Sequence, residues 1–316
     1  MDEKIFLPNE NVVSNIEKLS KKLTLSCEMR LCEMHELTET AADFITDMIK
    51  EDYSVKEAVS LLTDFVCEKR YLPCDVMEEN KHILDSFMTL VSSHDKVSFS
   101  SMLLTALKSR GLSLSESDFL EIEKPDDSIA LVKGPLSGEA YDVFSEELRE
   151  PRLRYVSDTK EAVAMVVGGE VGYCVLPFEE RGGVRLSSIS EQIFREELKI
   201  NSVTPVFGPY GGADMKYALL SRCLTAKTVN VGDDRYLEIR ISDSSSALLS
   251  ELTVAANAFG LGVYRINTIS LPTEDGDKRF MSLVFSVENR DFSDMLLYLT
   301  LFISEYTPVG IYKNLE

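Results

Sequence analysis

From residue 9 to about residue 119, apolar residues recur at helical spacing in a background of Leu, Met, Glu, Lys and Ser that is almost free of Gly and Pro. The spacing predicts helices over residues 12–50, over 55–69 behind a cap at Ser54, over 76–91 after the turn at Pro73, and over 99–109. Gly111 reads as a helix stop, and Ser115-Glu116 as the cap of a short new helix. The charged residues of this region fall between the apolar ones, as expected of wet helix faces.

A polar break over 121–128 ends that regime and marks the first domain boundary. Short apolar runs at 129–132, 153–156 and 171–176 then read as strands, alternating with helical stretches over 138–148 and from Ser157 or Asp158 through Ala162, Val163 and Val166 to Gly168-Gly169. Strand–helix–strand–helix–strand with tight connections predicts a parallel sheet. A helix over 190–198 and strands over 203–207 and 216–221 follow. Gly208-Pro209-Tyr210-Gly211-Gly212, between those strands, fits neither the dinucleotide nor the P-loop glycine pattern and reads as an ordinary turn.

The last eighty residues repeat two periods in turn. Leu237, Ile239 and Ile241 alternate with Glu238 and Arg240, a half-buried strand; Leu248, Leu252, Ala255 and Phe259 then mark one helix face, ended by Gly260. Residues 263–271 and the alternating Met281, Leu283, Phe285 and Val287 form a hairpin around an acidic turn. A second apolar helix face, from Phe292 to Tyr306, leads to a final strand over 309–312. The order βαββαβ predicts two helices on one face of a four-stranded antiparallel, ferredoxin-like sheet.

Charge narrows the partners. Lys and Arg number 33 against 53 Asp and Glu, a net charge of −20, which opposes binding to nucleic acid or to an anionic membrane. The start MDEKIFLPNE has acids where a signal peptide needs a basic region, and no window reaches the roughly 18 apolar residues of a membrane span, so a cytoplasmic location is expected. Six cysteines, Cys27, Cys32, Cys67, Cys74, Cys174 and Cys223, include no C-x-x-C pair, and His35, His82 and His94 have no metal-ligand spacing. Reduced thiols, no metal and no cofactor are the expectation.

Several segments, in order, resemble the prephenate dehydratase family. Residues 129–138 (IALVKGPLSG) are similar to its opening strand and Gly-Pro loop, 169–183 (GEVGYCVLPFEERGG) to its Asp-Tyr-x-x-x-Pro-Ile-Glu-Asn-Ser signature, and 217–222 (YALLSR) to its closing strand. The C-terminal unit, with the helix start Ser246-Ala247-Leu248-Leu249 and the strand Tyr264-Arg265-Ile266-Asn267-Thr268, looks like the ACT domain that follows that enzyme. The resemblance implies a multidomain α and α/β chain. Its parts would be a helical domain over 1–120, a single periplasmic-binding-protein-like α/β lobe with a mostly parallel sheet over 128–224, and an ACT domain over 233–316 that makes a homodimer. Many relatives carry a helical chorismate mutase domain in front. Here Arg30 and Lys50 stand among Glu28, Glu33, Glu36 and Glu51, a poor clamp for a dianion.

The family's chemistry is altered at the matching positions. Its Glu-Asn-Ser/Thr substrate contacts fall on Glu179-Glu180-Arg181, and its catalytic Thr falls on Met215 beside Lys216; a thioether has no proton to give a leaving hydroxyl. Residues 128–224 provide one lobe where the reaction needs two walls. A non-catalytic regulatory or amino-acid-binding protein is therefore expected. A divergent chorismate mutase/prephenate dehydratase and an interaction module for another biosynthetic enzyme are the alternatives. In an ACT domain the effector, L-phenylalanine in this family, sits between the helix start and the second strand, which places an amino-acid effector near Ser246, Ala247, Leu248, Asn267 and Thr268. The family's Arg is missing from that strand end.

Overall fold

A computed structural model describes residues 10–67, 93–148, 151–207, 213–225, 234–242, 246–273, 276–288, 291–303 and 306–315. The expected helix over 76–91 and the glycine-rich turn over 208–212 lie outside them. The chain forms two compact units, Met1–Ser113 and Leu114–Glu316.

The first unit contains α1 (Glu10–Lys50), α2 (Val55–Cys67) and α3 (Ser93–Ser109). Asp52 takes a left-handed φ of 67° after α1, and Ser54 starts α2 with a reciprocal cap. Its amide and hydroxyl donate to the Glu57 carboxylate at 2.9 and 2.7 Å, and its hydroxyl oxygen accepts from the Glu57 amide at 3.3 Å. Leu37, Ala42 and Ile45 of α1 are buried, as are Val59 of α2 and Phe99, Leu103 and Leu107 of α3. Arg110 ties the end of α3 to α1, donating from Nη2 to Glu39 Oε2 at 2.7 Å and from Nε to Asp43 Oδ1 at 2.9 Å. Gly111, with φ +84°, ends the run in the conformation that favours glycine.

The division falls between Ser113 and Leu114, ahead of the polar stretch 121–128, because the short 3₁₀ turn Glu116–Asp118 already belongs to the second unit. Glu116 accepts two hydrogen bonds from Arg235, at 2.9 and 2.7 Å, and one from the Phe292 amide at 2.9 Å. Phe119 and Leu120 are buried, and Ile122 bridges Leu224.

The second unit is one ten-stranded mixed sheet: β1 (Ser128–Val132), β2 (Arg152–Val156), β3 (Tyr173–Glu180), β4 (Val184–Arg185), β5 (Lys199–Phe207), β6 (Ala213–Ser221), β7 (Asp234–Ser242), β8 (Gly262–Thr273), β9 (Gly276–Glu288) and β10 (Tyr306–Lys313). The spatial order is β2-β1-β3-β6-β5-β10-β7-β9-β8, with β4 beside β3. Its helices are α4 (Pro135–Leu148), α5 (Thr159–Val167), α6 (Ser187–Arg195), α7 (Ser246–Ala258) and α8 (Ser293–Phe302). Asp158 caps α5, accepting from the Glu161 amide at 2.9 Å.

Only β2, β1 and β3 pair in parallel within the first half of the sheet; β3–β6, β5–β6 and β3–β4 are antiparallel. The half expected to be mostly parallel is therefore mixed, because β5 and β6 return on one another through a short connection that permits only antiparallel pairing. The sheet continues into the strands that follow: β10 pairs with β7 on one side and runs parallel to β5 on the other, through Gly310 and Ile200. A Cβ at Gly310 would lie 2.7 Å from the Ile200 carbonyl oxygen, so glycine permits that approach. Lys199 adds a side-chain hydrogen bond to the Pro308 carbonyl at 2.8 Å, and burial lowers its ammonium from the usual lysine range.

The second half follows the order β7-α7-β8-β9-α8-β10. Leu237, Ile239 and Ile241 are buried on one face of its sheet. The opposite face is covered as well: Ile189 and Ile193 of α6 join Tyr236, Ile269, Leu271 and Val284 in a single apolar cluster. The strand expected to be half-buried is thus buried on both faces, with Glu238 fully inaccessible. No helix among the described residues is long and apolar enough to cross a membrane.

Candidate functional site

A cluster of buried charged residues of the second unit lies where the β3–β4 hairpin meets β6, β7 and β8. The register of β3 sets Glu179 opposite Lys216 on β6 and opposite Arg185 on β4. Glu179 is buried, and its two oxygens have different partners: Lys216 Nζ lies 3.3 Å from Oε1, and Arg265 Nη1 donates to Oε2 at 2.6 Å. Burial pushes this carboxyl up, but the hydrogen bond from Arg265 and the charge of Lys216 outweigh it and hold the group below the usual carboxylate range.

Behind it lies a second, deeper cluster. Arg185 donates to both oxygens of Glu238, at 2.5 and 2.7 Å, and to the Tyr312 hydroxyl at 3.1 Å. Ser282 Oγ donates to Glu238 Oε1 at 2.6 Å, and Tyr312 Oη to Oε2 at 3.3 Å. The Arg185 guanidinium sits 4.3 Å above the Phe178 ring. Burial alone would raise the Glu238 carboxyl; the Arg185 charge and three donors keep it low, and Glu238 in turn raises Arg185 against its own desolvation. Tyr312 is pushed up, first by burial and then by Glu238, so it stays a hydroxyl.

Of the five positions matched to the family's catalytic residues, Glu179 and Lys216 meet in an ion pair. Met215 is half-buried beside Val206 and Tyr217, Glu180 is exposed at the strand end, and Arg181 lies in the exposed turn with Gly182 and Gly183. Of the five effector positions, Ser246, Ala247 and Leu248 open α7, while Asn267 and Thr268 lie on β8. Strand alternation sends those two to opposite faces. Asn267 shares the face of Ile269 and Leu271, under α6, where its Nδ2 is buried without a hydrogen-bond partner among the described residues. Thr268 is exposed on the other. The two β8 residues therefore do not converge on one point.

Arg185, Glu238, Arg265, Ser282 and Tyr312 escape sequence reasoning. The signal they leave is weak: Glu238 and Arg265 occupy alternating positions that an exposed strand face would fill in the same way. Among the cysteines, Cys174 is fully buried and burial pushes its thiol up to about 12, the environment of an inert thiol. No group of three His, Cys, Asp or Glu side chains among the described residues is arranged to hold a metal. In the first unit a groove of about 400 Å³ between α1 and α3 is lined by His35, Thr38, Glu39, Ser101 and Thr105. The hydroxyls of Thr38 and Thr105 are turned back onto their own helices, bonding the Met34 and Ser101 carbonyls.

No family model matches the chain, and no curated protein matches it. Among solved structures it is similar to a prephenate dehydratase from Streptococcus mutans, at 15% identity and a TM-score of 0.47 over 60% of this chain and 99% of that one. It is also similar to GqqA, described as a novel type of quorum quenching acylase, at 15% identity and a TM-score of 0.43 over 59% of this chain and 95% of that one. A third is the prephenate dehydratase from Arthrobacter aurescens in complex with L-Phe, at 13% identity and a TM-score of 0.43 over 58% of this chain and 89% of that one.

Proposed function

We propose that this chain is a non-catalytic protein of the prephenate dehydratase type, whose C-terminal half acts as an ACT-like regulatory or amino-acid-binding unit. The observation that carries the reading is the state of Glu179. The one matched acid that is buried where substrate contacts would be has both oxygens engaged by cations of its own chain, Lys216 and Arg265. A carboxylate so neutralised is a structural partner and a poor general base. Met215, next to Lys216 in β6 but packed on the other face with Val206 and Tyr217, brings no transferable proton. Phenylpyruvate formation from prephenate, measured on the purified chain, tests this: no turnover above the uncatalysed rate is expected, and turnover abolished by Glu179→Gln would establish the divergent enzyme instead.

Amino-acid binding at the start of α7, near Ser246, Ala247 and Leu248, with either Asn267 or Thr268 but not both facing it from β8, is the regulatory part of the reading. Thermal unfolding with each of the twenty amino acids at millimolar concentration checks it, since a ligand bound only by the native state raises the midpoint. Homodimerisation is supported by β8, which ends the sheet with Tyr264 and Ile266 exposed. Light scattering on the purified chain would give the mass of two copies.

A further inference from the structure

We infer that Arg265, Lys216 and Glu179 form an ionic latch that a small free carboxylate opens by taking the place of Glu179 between the two cations. This site is separate from residues 246–248 and does not depend on amino-acid binding there.

Stoichiometry within the cluster is the first observation. Two cations share one carboxylate, and each of its oxygens has a single partner, at 3.3 Å from Lys216 and 2.6 Å from Arg265. Arg265 makes that one hydrogen bond among the described residues, leaving four of its five N–H donors unused. Lys216 likewise has two further N–H donors.

Access is the second. The Lys216 and Arg265 side chains are 26% and 16% exposed, against 8% for Arg185 behind them. Gly183, held at φ +84°, lies beside Arg265 Nη2, and its missing side chain leaves room of a methyl's size there: a Cβ built on Gly183 would stand in van der Waals contact, 3.5 Å from Nη2 and 3.8 Å from Glu179 Oε1. On its other side the half-exposed Tyr264 ring lies 5.5 Å from the guanidinium carbon and packs edge-on against Tyr236 at 4.9 Å, an apolar rest for the body of an organic acid.

Local irregularity of the strand is the third. A β-bulge between Val263 and Arg265 leaves Tyr264 unpaired and bends β8 immediately before Arg265, which itself pairs with Val284. An arginine offering two parallel donors grips a carboxylate better than one held by a single bond, so an incoming carboxylate able to take both from Arg265, with Lys216 as a third contact, competes with Glu179 on chemical terms.

Calorimetric titration of the full chain with sodium acetate and sodium benzoate, against sodium chloride at matched ionic strength, tests the latch. Saturable heat is expected with both carboxylates and none with chloride. Arg265→Gln and Lys216→Gln are each expected to weaken binding by about tenfold or more, and Arg265→Lys by less. Glu179→Gln removes the internal competitor and is expected to bind acetate about tenfold tighter than the wild type. That gain separates a latch from diffuse surface attraction, and it does not suffer if the arginine variant fails to fold. Equal titration of the wild type, Arg265→Gln and Lys216→Gln, or a Glu179→Gln protein that binds acetate no more tightly than the wild type, overturns the proposal.

Discussion

Two ionic clusters stand side by side on the same face of the sheet, and they differ in nearly every respect that sets the worth of an ion pair. The Arg185–Glu238 pair is bidentate, closed by Ser282 and Tyr312 and almost inaccessible. The Glu179 cluster is held by one short and one long contact, at a rim its cations share with solvent. Charges withdrawn from water lose hydration that only excellent geometry restores, so the deep pair has to be complete or it is costly. Rim charges can return to water when a partner leaves, so the outer pair is replaceable. One seam thus has a fixed inner connection and an exchangeable outer one.

The largest effect should come from breaking the inner pair on one side. Arg185→Met or Glu238→Leu leaves the remaining charge buried, and each is expected to cost about 3–5 kcal/mol in denaturant unfolding. The double variant removes both charges and should lie within about 2 kcal/mol of the wild type. If the single variants cost no more than a rim substitution, the inner cluster is wetter than its geometry implies, and the contrast fails.

This inner pair also marks where sequence reading stops. Among the described residues the helices, the βαβαβ run and the βαββαβ run are legible because each has one apolar period and clear stop signals: Ser54, Gly111, Asp158 and Gly260 stand at or beside element ends. The pairing of Glu179 with Lys216 is not legible, since it depends on the β3–β6 register across a bulge at Pro177. Glu238 is the sharper case. Its alternation with Leu237 and Ile239 reads as a solvent face, and only the placement of α6 over that face, a contact between distant segments, turns a wet carboxylate into a buried one. Chain continuity hides the joint between the halves as well. Nothing local in Val309-Gly310-Ile311 announces that Gly310 touches β5.

That joint supplies the next effect in size. Gly310→Ala places a methyl 2.7 Å from the Ile200 carbonyl oxygen and 2.8 Å from its Cβ, so β10 or β5 must shift; a cost of about 1–3 kcal/mol is expected. Because the two ionic clusters bridge the halves on either side of β10, hydrogen exchange should rise in β5 and β10 together while β1 and β2, at the far end of the sheet, keep their protection. Faster exchange confined to β10 would mean that the halves are coupled by the ionic seam alone.

The smallest effect belongs to the rim. Glu179→Gln keeps the shape and removes the charge, and with Lys216 and Arg265 partly exposed its cost should be about 1 kcal/mol at low salt. In 1 M salt, where the Debye length is about 3 Å, most of that difference should vanish, whereas the cost of Glu238→Leu should hardly change. The pH dependence has a definite sign. The folded protein holds the Glu179 carboxyl below its ordinary value, so its contribution is complete above the unfolded value near about 4.3 and is lost as the pH falls through the folded one. Wild type and Glu179→Gln should therefore differ by a constant amount between about pH 6 and 8 and converge on acidification. A difference that persists in acid, or survives high salt undiminished, would move Glu179 into the class of Glu238 and erase the distinction between the two clusters.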